Sequence, residues 1–218
     1  MAAPRDHGAG GLEPRGVFWF SRSGTPLPGD AERLILRVPN LSGHFAGALR
    51  WMWESYGLGS RCLLVSESRA VAEVMRDRYP TTEFLTSNLH PELFGPGDGA
   101  APDFEWDVLE PLPDPLQGQF SSVIGHTLLE HVIDPVTAFK NMVAALWPGG
   151  FLYVMTVMPS FHLHRYPRDY VRFHLDWFED IRCFVGQREA ITVQLESLWA
   201  HEGVVCACWQ KIIKQKRT

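Results

Sequence analysis

The chain of 218 residues is predicted to fold as an α/β three-layer sandwich, with helices on both faces of a mostly parallel seven-stranded sheet whose last strand is antiparallel. Two observations predict this. From residue 61 onward, short apolar runs alternate with stretches of helical spacing, the pattern of a parallel sheet covered by helices. The last two β-rich runs, AITVQLESLWA and VVCACWQKI, are joined only by HEG. That is too short for a parallel crossover, so they form an antiparallel hairpin.

Residues 1–40, rich in glycine, proline and arginine, read as a loosely structured leader, with VFWF and RLILRV as short extended pieces. In SGHFAGALRWMWESYG, Phe45, Leu49, Met52, Trp53 and Tyr56 recur at helical steps; Ser42 suits the N-cap and Gly57 the stop. RCLLVS is the first strand of the sheet. Val71, Val74, Met75 and Arg78 trace a helix ending before Pro80, and TEFLTS is the second strand. HPELFGPGDGAAP is a turn-rich loop. FEWDVL is the third strand and SSVIG the fourth, followed by a helix from about Asp134 to Leu146. Asp134 can cap it, and Pro135 sits where a missing N–H costs nothing. Pro148, Gly149 and Gly150 stop that helix before the fifth strand, FLYVMTV. An irregular stretch precedes a helix in DWFEDIRCF and then the hairpin. The domain is expected over residues 41–213, with a basic tail at 214–218; the four basic residues of KIIKQKRT are read as solvated.

The composition excludes some classes. Net charge is −5 and pI about 6.0, so no global basic field attracts nucleic acid. No apolar run approaches the roughly 20 residues that span a bilayer, and the N-terminus lacks the apolar core of a secretory signal. Cys206 and Cys208 stand two apart on one strand face and do not bridge, so the cysteines are read as reduced and buried, and the compartment as cytoplasmic.

Residues 120–154, FSSVIGHTLLEHVIDPVTAFKNMVAALWPGGFLYV, carry Leu129, Glu130, His131, Val132, Asp134 and Pro135 ahead of the helix. Leu146, Pro148, Gly149 and Gly150 close it. In this the chain resembles class I S-adenosyl-L-methionine (SAM)-dependent methyltransferases, whose fourth strand leads into LEHV-D-P and whose next helix ends in L-x-PGG. HRYPRDYVRFHLDWF is similar to a segment found in a subset of them. The resemblance, over residues 58–213, implies a Rossmann-like sheet, SAM as cofactor, and methyl transfer to a small-molecule or unidentified acceptor. A catalytically inactive scaffold or regulatory protein is the alternative.

The departure lies in VSESRA, where the family has an acid on the strand and a G-x-G-x-G turn. Leu64 stands at the acidic position, and Ser66, Ser68 and Ala70 at the glycines. These replacements are small and leave backbone N–H groups available. Were the turn an ordinary connection, glycine at Ser66 or Ser68 would slightly lower stability. Glu67 is either a carboxylate for the cofactor's ammonium or a helix N-terminal acid favoured by the dipole. By the resemblance, Asn88 takes the ribose-binding position and Asp107 the adenine-side position, the latter alternatively capping a turn.

His126, after the fourth strand, is a candidate cofactor contact and general base, or else a helix cap; His131, a second base candidate, reads rather as packing. His162, His164, Tyr166, Tyr170 and Arg172 are expected to overhang the crevice as an acceptor pocket, with Asp169–Arg172 as a local salt bridge. HLH with His174 lacks a carboxylate or cysteine to complete a metal set, so no metal site is expected.

Overall fold

The computed structural model describes residues 18–24, 36–37, 44–45, 47–90, 101–165, 168–185 and 191–213. Most of the leader, Ser42, Tyr166, the bulk of the HPELFGPGDGAAP loop and the tail at 214–218 lie outside the described residues.

The sheet runs through β4 (Arg61–Val65), β5 (Glu83–Asn88), β6 (Phe104–Glu105), β7 (Phe120–His126), β8 (Leu146–Val157), β9 (Ile191–His201) and β10 (Val204–Ile213). To these the leader adds β1 (Phe18–Ser21), paired antiparallel with β9 at the edge. The described sheet therefore has eight strands, not seven, in the order β1-β9-β10-β8-β7-β4-β5-β6. β4 to β8 pair in parallel; β10 runs antiparallel to both β8 and β9.

Strand alternation sends successive side chains to opposite faces and so builds two cores. Leu63, Val65, Val123, Leu152 and Val154 pack beneath α3 (Pro135–Ala145) and α4 (Leu175–Val185). Cys62, Leu64, Ile124, Tyr153 and Cys206 face α1 (Gly47–Tyr56) and α2 (Arg69–Arg78). This is the expected three-layer sandwich.

The helix boundaries follow local chemistry. Asp134 accepts from Thr137 N at 3.0 Å and from Thr137 Oγ1 at 2.7 Å, capping α3. Gly57 ends α1 with φ +97°, its N–H bonded to Trp53 O. The hairpin turns through Glu202 (φ +48°) and Gly203 (φ +83°), the two positive values of a type I′ turn that matches strand twist.

Several expectations need correction. α1 begins at Gly47, because Phe45 belongs to β3 (His44–Phe45), which pairs with β2 (Leu36–Arg37). The third strand pairs over only two residues. Trp106 Nε1 donates to Glu110 O and Leu109 N to Asp107 Oδ1, and this turn takes the chain off the edge. β8 begins at once after α3: Leu146 pairs with Phe120, and Trp147 to Gly150 loop out before Phe151 meets Ser122. A Cβ on Gly150 would lie 2.9 Å from Ser121 O, so that excursion excludes any side chain there. Lys211 is not in a solvated tail; it is buried in β10 with its Nζ donating to Leu146 O. Among the cysteines, Cys62, Cys206 and Cys208 are buried but Cys183 is exposed. Burial pushes the Cys62 thiol up to about 12, which makes it inert as a nucleophile.

Candidate functional site

From β4 the chain winds outward through β5 and β6, then returns to lay β7 on the other side of β4. An open α/β sheet has its ligand crevice at such a reversal, beyond the carboxyl ends of the strands. Here those ends are Val65-Ser66 and His126-Thr127, in register across β4 and β7.

Ser66 occupies the left-handed region at φ +63°, where a Cβ is strained. The amides of Ser66 and Glu67 both donate to Ser87 O, at 2.7 and 3.2 Å. Two amides expected to be available to a ligand are thus engaged by β5. Ser68 is the N-cap of α2 with φ −91°, and its buried Oγ bonds neither α2 nor any other group. Glu67 turns inward: its Oε1 lies 3.4 Å from His126 Nδ1, with both side chains buried. This pair bridges the two strand ends that define the crevice. Thr127, at φ +45°, holds the other lip through its N–H to Met155 O.

Asn88 ends β5 almost wholly buried. Its Oδ1 accepts from His90 N at 3.0 Å, but its Nδ2 has no partner. A buried amide donor without an acceptor costs free energy unless something else satisfies it. Asp107, past the end of β6, makes the turn-capping contact with Leu109 described above. Between them Asp103 accepts from Thr86 N, Thr86 Oγ1 and Arg69 Nε. Partial burial pushes its carboxyl up, but these donors outweigh burial and hold it below the usual range.

A second cluster lies past the ends of β7 and β8. The 3₁₀ turn Leu129–His131 buries Glu130 completely; its Oε2 accepts from Thr156 Oγ1 at 2.6 Å, and its carbonyl accepts from Tyr170 N at 2.8 Å. Oε1 has no hydrogen-bond partner, yet His164 Nε2 stands 3.7 Å away and His131 Nε2 4.0 Å. His131 Nδ1 bonds Arg168 O. Arg172 forks onto Asp169 and also reaches the carbonyls of His162 and Phe161. The guanidinium outweighs partial burial and holds the Asp169 carboxyl down at about 2.

The structure thus brings Ser66, Glu67, Ser68, Asn88 and His126 to one crevice, with Asp107 at its β6 end. His131 and His164 meet instead in the neighbouring cluster. Arg172 is committed to the loop through its salt bridge to Asp169. Tyr170 exposes its ring and contributes its amide, and His162 stacks on Phe161. Sequence reasoning did not single out Glu130 as a candidate, although a lone acid among the apolar residues of LLEHVI was a visible signal. The histidine set read from the sequence, HLH with His174, did not include Glu130 and His131, which stand beside His164.

The chain matches no family model, and no curated protein is detectably similar in sequence. Solved structures do match in fold. One is an S-adenosylmethionine-dependent methyltransferase from Mesorhizobium loti (TM-score 0.55, 14% identity, 75% of this chain and 95% of that one). Another is a SAM-dependent methyltransferase from Archaeoglobus fulgidus (TM-score 0.52, 10% identity, 75% and 91%). A third, from Rhodobacter sphaeroides, is described as a putative zinc-dependent alcohol dehydrogenase (TM-score 0.53, 13% identity, 74% and 87%). At such identities the likeness is one of fold, and one fold hosts several chemistries. No described helix is long and apolar enough to cross a membrane.

Proposed function

We propose that the crevice between β4 and β7 binds SAM and that the protein transfers its methyl group to an acceptor. The observation that carries this reading is the buried, unpartnered Nδ2 of Asn88, at the strand end where a ribose hydroxyl oxygen would accept it. Glu67 supplies a carboxylate for the amino-acid end of the cofactor, Asp107 the acceptor at the adenine side, and the Ser68 hydroxyl a further buried polar group. The cofactor brings an electrophilic methyl on a sulfonium, for which alignment of the acceptor is the main requirement. His126, oriented by Glu67, takes the proton from an acceptor that must lose one.

Titration calorimetry with SAM and S-adenosylhomocysteine tests this. Wild type is expected to bind both, and Asn88→Ala to bind about fivefold more weakly through loss of one hydrogen bond. Equal binding by wild type and variant removes Asn88 from the site. Absence of binding at millimolar ligand favours the inactive scaffold instead. One observation supports that second reading: the Ser66 and Glu67 amides are engaged by Ser87 and cannot also serve a ligand.

A further inference from the structure

We infer that Glu130, His131 and His164 form a binding site for a divalent transition metal, with zinc the best match to the ligands. Their candidate ligand atoms lie within 4.8 Å of one another. Bonds of about 2.0–2.2 Å to a tetrahedral ion would draw such atoms closer, so the spacing is an expanded form of the bound one. Two imidazoles and one carboxylate are a zinc ligand set that leaves a fourth position for water or a donor atom of an acceptor.

The lone pairs point the same way. Glu130 is fully buried, and its Oε1 is the carboxylate atom that no protein donor satisfies. A carbonyl only accepts, so the bond to Arg168 O puts a hydrogen on His131 Nδ1, and in the neutral imidazole Nε2, 4.0 Å from Oε1, then carries the lone pair. His164 Nε2 lies 3.7 Å from Oε1, and its Nδ1, buried without a hydrogen bond, stands 3.6 Å from Asp169 Oδ2. A hydrogen-bonded carbonyl behind the imidazole, as at His131, is a usual support of a metal-bound histidine, and Asp169 stands close behind His164. Arg172 fixes Asp169 in that position. A cation bound between these three atoms would satisfy Glu130 Oε1, the one carboxylate oxygen here without a hydrogen bond. The bound ion would tie His164 to the turn after β7.

Chelator-stripped full-length protein, dialysed against zinc and then metal-free buffer, is assayed for metal by mass spectrometry, with a competing chromophoric chelator for affinity. One zinc per chain is expected, and cobalt in its place should give the visible absorption of a low-symmetry nitrogen–oxygen site. His164→Ala and Glu130→Gln are expected to weaken binding at least about tenfold, while His162→Ala and His174→Ala leave it unchanged. Circular dichroism checks folding. If Glu130→Gln does not fold, the partly exposed His164 remains the deciding position. Less than stoichiometric zinc in wild type, or affinity unchanged in His164→Ala, overturns the inference. The assay contains no SAM, so its outcome is separate from that of the methyl-transfer reading.

Discussion

Serine at φ +63° makes residue 66 the most informative single position in the crevice. A Cβ in the left-handed region costs about 1–2 kcal/mol, which glycine avoids. Ser66→Gly is therefore expected to raise unfolding free energy by about 1 kcal/mol, reversing the expectation that glycine weakens this turn. Ser68, at φ −91°, has no such strain to relieve. Ser68→Gly is expected to lower stability by about 0.5–1 kcal/mol. Urea unfolding of the two variants checks this, and shifts of the same sign would count against the turn geometry. The residue scale also shows how one side chain takes two meanings. Glu67 is an acid at a helix N-terminus by sequence position, yet its carboxylate turns inward to His126.

Among the elements, the closing hairpin holds the reversed strand β10 in the middle of the sheet, between β8 and β9. Gly203 has a positive φ, and a Cβ there would also lie 2.9 Å from Phe161 N. Gly57 has a positive φ too, but open space around it. Gly57→Ala is expected to cost about 1 kcal/mol from backbone strain alone. Gly203→Ala should cost more, about 2–3 kcal/mol, because the Phe161 backbone must also move. Thermal melts measure the difference, and equal losses would mean that the contact with Phe161 is absent. The same contact links the hairpin to the segment carrying His162 and His164, so Gly203→Ala perturbs the histidine cluster as well.

For the molecule as a whole, β1 covers the outer edge of β9 through four paired residues, from Phe18↔Ala200 to Ser21↔Ser197. An uncovered edge strand is a template for pairing with another chain. Deleting residues 1–24 is expected to lower the melting temperature by about 4–8 °C, corresponding to roughly 2 kcal/mol. It should also produce concentration-dependent association in sedimentation velocity. A truncated protein that stays monomeric with an unchanged melting temperature would show that β1 is dispensable.

The alternation of apolar runs and helical spacings was enough to predict the three layers, as Asp134-Pro135 was for the α3 cap and the short HEG link for the antiparallel hairpin. Each depends on neighbours a few residues apart. LEHV stands just ahead of α3, but Pro148, Gly149 and Gly150, expected to stop that helix, lie within β8. Tertiary structure alone decided the rest, because those features are made by residues distant in the chain. β1 joins the sheet because β9 offers it an edge some 180 residues later. The third strand shortens because Trp106 and Asp107 bond into a turn. Ser87 claims the amides of Ser66 and Glu67 across the sheet. His164 meets Glu130 only because the segment after β8 folds back over the turn after β7, where Tyr170 N bonds Glu130 O. Local sequence determines which elements form; long-range hydrogen bonding and burial determine which polar atoms are left facing one another, and the candidate chemistry rests on those.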